Sequence, residues 1–304
     1  VLFSMKLSSF LYFAGFGLRT VLLRRSDPIL GTIILTDRCN LRCRHCSVNN
    51  IACTDYPYPA IRREMEQLYG MGVRILFFCG GETFLWRDGE KNLKDLVREA
   101  KEMGFLLVNA VTNGTFPLNL PGADLILLSL DGDRARHNAI RGDTYDTILA
   151  NIRQAPTDNI CLYMAINQVN QDTIGAVCRT AMEEPNVRAV SFNFHTPYPD
   201  TRALALSREE KAACCAQITR MMEAGAPVFN LRSAFPHLIQ NTFPTPCRQC
   251  VVMEDGRLSI CGRCVHVPGL CGECGYFFAA EYSLLFRGNV RVMADMLRTY
   301  LKYI

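Results

Sequence analysis

The sequence has no long block of lysine or arginine. Its formal net charge of +4 is spread over 304 residues, which gives little electrostatic reason to expect nucleic acid as a partner. It also has no apolar run long enough to cross a bilayer: the uncharged stretch near its start, Leu7 to Leu18, falls well short of the ~20 residues a spanning helix needs. No small-residue cleavage site follows that stretch before charge resumes, so a cleavable signal peptide is not expected. Internal repeats and low-complexity tracts are missing as well. With 49% hydrophobic and 20% charged residues, wholesale disorder is not expected, and the chain can bury a core as one large domain or one plus an appendage.

Cysteine is what the sequence has in excess. Fifteen are present, several at CxxC spacing, in a chain far too long to need disulfides for stability. Full pairing would leave one over, so metal binding is the better reading and the reducing cytoplasm the expected compartment. The N-terminal stretch carries Phe10, Leu11, Tyr12, Phe13 and Phe16 between Lys6 and the arginines 19, 24 and 25. It fits either a helix packed on the core or an amphipathic helix on a membrane surface. The core is favoured because apolar helices of globular proteins usually face one.

Short apolar runs alternate with longer amphipathic ones, the pattern of βα units around a parallel sheet. Strands are predicted at Thr32 to Leu35, Ile75 to Phe78, Leu106 to Val111, Leu125 to Leu130, Ile160 to Ile166 and Ala189 to Phe194. Helices are predicted at Ala60 to Tyr69, Asn92 to Met103, Tyr145 to Gln154, Asp172 to Met182 and Arg208 to Ala224. In such folds chemistry collects where the βα loops leave the C-terminal strand ends. Cys39 to Cys46, Gly80-Gly81-Glu82, Thr112-Asn113-Gly114, Ser129 to Gly132 and Asn167 all land on that rim. After Ala226 the alternation stops, and Cys247 to Cys274 reads as a separate appendage that bound metal would hold together.

Cys39, Cys43 and Cys46 form a CxxxCxxC loop after the first strand. Three thiolates on a four-iron cube leave one iron open. On these residues, and on the ordered rim motifs from about residue 30 to 230, the chain resembles the radical S-adenosylmethionine (SAM) superfamily. That resemblance implies a partial (βα)6 TIM-like barrel, a [4Fe-4S] cluster whose free iron chelates SAM, and reductive cleavage to a 5′-deoxyadenosyl radical that takes hydrogen from substrate. It implies an external electron donor such as flavodoxin or ferredoxin. His45 stands where the family commonly has an aromatic residue near adenine, although it could instead be a metal ligand or a solvated loop residue.

Cys79-Gly80-Gly81-Glu82-Thr83 resembles the glycine-glycine-glutamate motif that receives the methionyl amino group, with Thr83 where proline is common. Ser129 and Asp131 match the polar positions of the fourth strand end, and Asn167 those near ribose. Arg141 suits the cofactor carboxylate, since guanidinium binds carboxylate through two parallel hydrogen bonds; a structural ion pair fits it equally. Thr112 and Asn113 are less definite, Asn-Gly being a common turn pair.

Cys247, Cys250, Cys261, Cys264, Cys271 and Cys274 make three further CxxC pairs. Gly256 to Cys261 resembles the GxxxxC part of the SPASM and twitch extensions, which implies an auxiliary [4Fe-4S] cluster. The long gap of full SPASM domains is missing, so one auxiliary cluster is expected rather than two, and a zinc ribbon is the competing reading. The expected organisation is residues 1–29 as an apolar segment, 30–230 as barrel and 231–304 as auxiliary extension with a C-terminal helix. Small-molecule, lipid-like and peptide substrates stay open, as do epimerase, oxidative maturase and radical-coupling outcomes. A non-catalytic iron-sulfur or zinc protein is the alternative, and no catalytic residue beyond the cofactor site is assigned.

Overall fold

Strands buried on both faces need near-continuous apolar runs, and the six runs in this sequence become six barrel strands. The computed structural model describes residues 7–47 and 50–303. In chain order they form α1 (Leu7–Leu23), β1 (Leu30–Ile34), α2 (Tyr58–Gly70), β2 (Ile75–Cys79), a two-residue hairpin of β3 (Arg87–Asp88) and β4 (Lys91–Asn92), α3 (Leu93–Met103), β5 (Leu107–Thr112) and β6 (Leu125–Ser129). Then come α4 (Arg134–Arg141), α5 (Tyr145–Arg153), β7 (Ile160–Ile166), α6 (Ile174–Glu183), β8 (Val187–Phe194) and α7 (Arg208–Glu223). The predicted strands and helices match these elements within two residues at each end.

The sheet order is β1-β2-β5-β6-β7-β8, all parallel. This is the partial TIM-like barrel. Strand residues that face the helices, such as Ile33, Leu76, Phe78, Val108, Ile126 and Leu162, are wholly buried. Gly31 lets α2 approach β1, because a Cβ there would stand 3.0 Å from Leu68 of that helix. A capping box joining Asn92 and Asp95 starts α3, and Gly104 in the left-handed region ends it.

The sheet also runs on beyond residue 230. After α8 (Phe235–Gln240), β9 (Cys250–Glu254) pairs in parallel with β1, and β10 (Arg257–Ile260) folds back on β9. Asp255 and Gly256 make this tight turn with φ of 49° and 73°, the pairing a two-residue hairpin favours. Cys247, Cys250 and Cys261 therefore lie at or near the ends of strands of the same eight-stranded sheet. On the far side α9 (Phe277–Phe286) is pinned to β8 by the Phe277 N–H on Asn193 Oδ1, 2.7 Å, and α10 (Val290–Tyr303) packs on α9.

The helix α1 reaches the same layer. Phe16 meets Phe286 edge to face at 5.4 Å, so the expected core contact forms. Its buried side also carries Ser9 and Thr20, whereas Leu11, Leu18, Leu22 and Leu23 are exposed. Among the described residues no helix is long and apolar enough to cross a membrane.

Candidate active site

The cysteine loop is fastened at both of its ends. Asp37 accepts N–H groups from Ala52, Cys53 and Thr54 at 2.5 to 3.1 Å, and Asn50 bridges the Cys39 N–H (2.9 Å) and the Leu41 carbonyl (3.0 Å). The Arg44 N–H reaches the Ile140 carbonyl at 2.9 Å, joining the loop to the end of α4. Gly80 and Gly81 hold it from below: a Cβ would lie 2.5 Å from the Thr36 carbonyl oxygen or 2.3 Å from that of Arg38. Their glycine requirement thus comes from the approach of β2 to the cysteine loop.

Hydrogen-bond donors converge on the sulfurs. Cys39 Sγ receives the Leu41 N–H at 3.4 Å and Asn113 Nδ2 at 3.8 Å. Arg141 lies 3.8 Å from Cys43 Sγ. Donors of this kind favour thiolate over thiol, which suits an anionic cluster. Burial, against the opposing Arg141, pushes the Cys43 thiol up to about 11. Among the described residues no three His, Cys, Asp or Glu side chains are spaced to hold one ion, whereas a cube offers a separate iron to each thiolate.

Behind this loop stands a charged wall. Asp131, wholly buried at the end of β6, takes Arg141 Nε at 2.6 Å and the Ala165 N–H at 2.9 Å. Burial pushes its carboxyl up, but Arg141, His45 and the Ala165 N–H outweigh that and hold it below the usual range. His137 Nδ1 accepts the Asp131 N–H at 3.1 Å, so its Nε2 carries the proton toward Thr144 Oγ1 at 3.0 Å. His45, lowered to about 4 by burial, has a buried Nδ1 without a hydrogen-bond partner. It faces His195 edge on at 6.3 Å.

A cavity of about 670 Å³ opens beside this wall. Of the residues expected at the cofactor, His45, Gly80, Gly81, Ser129 and Arg141 line it together with Cys39, Cys43 and Cys46. Glu82, Asp131 and Asn167 are wholly buried and lie outside its lining. Glu82 accepts Thr112 Oγ1 (2.8 Å) and the N–H groups of Asn113 (2.7 Å) and Phe84 (3.0 Å); it fixes the turn that aims Asn113 at Cys39. Asn167 is spent on its own turn, donating to the Ala165 carbonyl and accepting the Val169 N–H.

Sequence reasoning overlooked three contributors. Helix α4, with almost no apolar stripe, carries both Arg141 and His137; Asp133 capping the Arg136 N–H at 2.9 Å was its available signal. His195 directly follows β8, so the strand-end rule reaches it. Tyr163, midway along β7, lines the cavity and bonds Asn193, which no motif signals.

The C-terminal cysteines are divided between the two ends of the barrel: Cys250, in register with Leu30, and Cys261 lie where β1 begins, away from the thiol loop. Cys247 and Cys250 Sγ are 3.4 Å apart, and the Cys261 N–H bonds the Cys250 carbonyl at 2.8 Å. Gly275 packs against the end of β8, where a Cβ would be 2.1 Å from the Phe194 oxygen; this sets Cys274 beside the rim. Cys261 and Cys264 line the cavity, while Cys247, Cys250, Cys271 and Cys274 do not.

Fold and site together define a partial-barrel protein with a thiol loop at its mouth. Residues 33–181 match the Radical SAM superfamily, and the chain belongs to that superfamily of enzymes, which use a [4Fe-4S] cluster and SAM. It is 29% identical to GTP 3′,8-cyclase of Ectopseudomonas mendocina over 68% of this chain and 63% of that one. It is also 29% identical to 7,8-dihydro-6-hydroxymethylpterin dimethyltransferase of Methanocaldococcus jannaschii over 55% of this chain. The chain spans only 36% of that relative's length. Among solved structures, Streptococcus suis SuiB bound to S-adenosylmethionine superposes with a TM-score of 0.64 at 14% identity, covering 88% of this chain and 68% of SuiB. At that identity the likeness is one of fold.

Proposed function

We propose that this chain cleaves SAM reductively and uses the resulting radical on a substrate held in the barrel, with Cys39, Cys43 and Cys46 as the cluster ligands. The observation that carries the reading is the meeting, at one cavity mouth, of three thiols, their N–H donors and the unpartnered His45 Nδ1. When bound, the cluster and SAM supply one-electron cleavage to methionine and a 5′-deoxyadenosyl radical. Arg141 and Ser129 bind SAM at the cavity wall, and His45 offers Nδ1 to its adenine. Asp131 and Glu82 act as positioning residues, holding Arg141 and Asn113. Asn167 shapes the loop after β7.

We assign the barrel to residues 30–230 and an auxiliary [4Fe-4S] cluster to the six cysteines of the extension, supported by the Cys247–Cys250 approach. A one-electron donor of the flavodoxin or ferredoxin class serves the site. Anaerobic reconstitution, dithionite and SAM should yield 5′-deoxyadenosine; full iron loading without that product, or a protein holding only zinc, overturns the reading.

The leucine face of α1, with Arg19 and Arg24 exposed beside it, supports peripheral contact with an anionic membrane. Sedimentation with phosphatidylglycerol vesicles, reduced at least tenfold by Leu11→Ser, Leu18→Ser and Leu22→Ser together, is expected. Equal sedimentation of wild type and variant overturns it.

A further inference from the structure

The barrel is hollow over its whole height. A closed TIM barrel fills its centre with layered side chains, yet here Phe77, Leu107, Val111, Leu125, Leu127 and Tyr163 remain half-buried although they sit within the sheet. The cavity they line runs from the first residues of β1, β2, β5 and β6 to the thiol loop at their other ends. An interior at normal packing density does not leave such a space without an occupant.

The two ends of the space differ in chemistry. At the rim it meets Thr112, Asn113, Ser129, Arg141, His45 and Asn193. Toward the opposite mouth it meets Leu30, Ile75, Leu107, Leu125, Phe278 and Met296. The charged residues there already have partners: Asp124 accepts Lys101 and the Val108 N–H, and Arg188 pairs with Asp158 at 2.7 Å. Glu281 accepts the Leu231 N–H at 2.8 Å. A mainly apolar space of this kind favours apolar ligands over ordered water.

We infer that the lower barrel holds the aliphatic chain of an amphiphilic substrate whose polar head lies at the rim. This rests on the proposed radical chemistry at the rim and supplies its substrate class: a carbon near the head group faces the site, while the hydrocarbon tail extends toward α9 and α10. The leucines of α1 lie on the same helical layer, which places the tail end of the cavity near the face proposed to meet lipid.

The test needs no radical chemistry. Reconstituted protein is titrated with dansyl-labelled undecanoic acid, and the probe is displaced by straight-chain alcohols from butanol to hexadecanol. Displacement should strengthen by about fourfold per added methylene until the chain fills the space. Leu125→Trp should plug it and weaken the probe at least tenfold, while Leu125→Asn, which leaves room but adds polarity, weakens it less. Melting curves of both variants show whether each is folded. Chain-length-independent displacement, or equal probe binding in a folded Leu125→Trp protein, overturns the inference. Failure of 5′-deoxyadenosine formation would instead count against the radical reading alone.

Discussion

The two cysteine sets meet the same cavity yet are built differently. Around Cys39, Cys43 and Cys46 the structure places hydrogen-bond donors and a buried ion pair, with the thiols open to the cavity. Around Cys247 to Cys274 it places sulfur beside sulfur. Burial pushes the Cys274 thiol up to about 12 and Cys261 higher still, and burial likewise raises Cys264. The first set is furnished to stabilise charge and admit a second ligand. The second packs β9 and β10 against the barrel with Cys261 and Cys264 reaching the cavity, and burial makes the thiols of Cys261, Cys264 and Cys274 hold their protons tightly.

The largest effect should come from exchanging single ligands between the sets. Cys43→Ser is expected to reduce 5′-deoxyadenosine to background while the extension keeps its iron. Cys247→Ser should remove about four irons per chain, lower the melting temperature and leave measurable SAM cleavage. Iron analysis beside product assay reads both. If Cys247→Ser silences cleavage as fully as Cys43→Ser does, the division between an initiating and a structural set is wrong.

Next in size is the buried Arg141–Asp131 ion pair beside the first set. Asp131→Asn leaves Arg141 buried without its carboxylate, a change expected to cost about 3–5 kcal/mol, read by urea unfolding. SAM binding should weaken with it, because Arg141 loses the partner that aims its guanidinium. A loss below ~1 kcal/mol would show the pair to be solvated in solution.

Each region also has a glycine that cannot carry a side chain without moving backbone. Gly81→Ala drives a methyl at the Arg38 carbonyl, Gly275→Ala at that of Phe194, each expected to cost about 3 kcal/mol. The consequences should separate. Gly81→Ala should impair SAM cleavage, and Gly275→Ala should loosen the extension and its iron first. The same loss pattern from both would mean that the two loops behave as one unit.

Much of this was legible in the sequence, for reasons particular to each element. The six barrel strands read correctly because parallel strands buried on both faces are apolar throughout, as in Ile160–Ile166. The thiol loop was found because ligand spacing is local. Helix α4 was missed because its sequence, RARHNAIR, has almost no apolar stripe to reveal it. Strands β9 and β10 were missed because their cysteines drew attention from an Asp-Gly turn between two apolar runs. That Asp131 and Glu82 would turn away from the cavity depends on partners 10 to 34 residues distant, such as Arg141 and Asn113, and no spacing rule encodes it.

The smallest expected effect is a pH dependence belonging to the first region. His137, wholly buried, is held neutral because burial lowers it from 6.5 to about 4. The folded chain therefore does not take up the proton that the unfolded chain binds below about pH 6.5. Stability from this residue is complete above that pH and declines as pH falls toward 4, by on the order of 3 kcal/mol in total. His137→Asn retains an acceptor and a donor but no titration, so its unfolding free energy should change less between pH 7 and 4.5 than that of the wild type. The protonated ring would also have to give up the acceptor nitrogen that holds the Asp131 N–H, so the charged wall should loosen with it. The thiols of Cys261, Cys264 and Cys274 respond in the opposite, alkaline direction, since pKa values raised by burial give stability that is lost only as pH climbs through them. A wild-type and His137→Asn pair with parallel acid profiles would remove this histidine from the support of the site and leave the carboxylates as the source of any acid sensitivity.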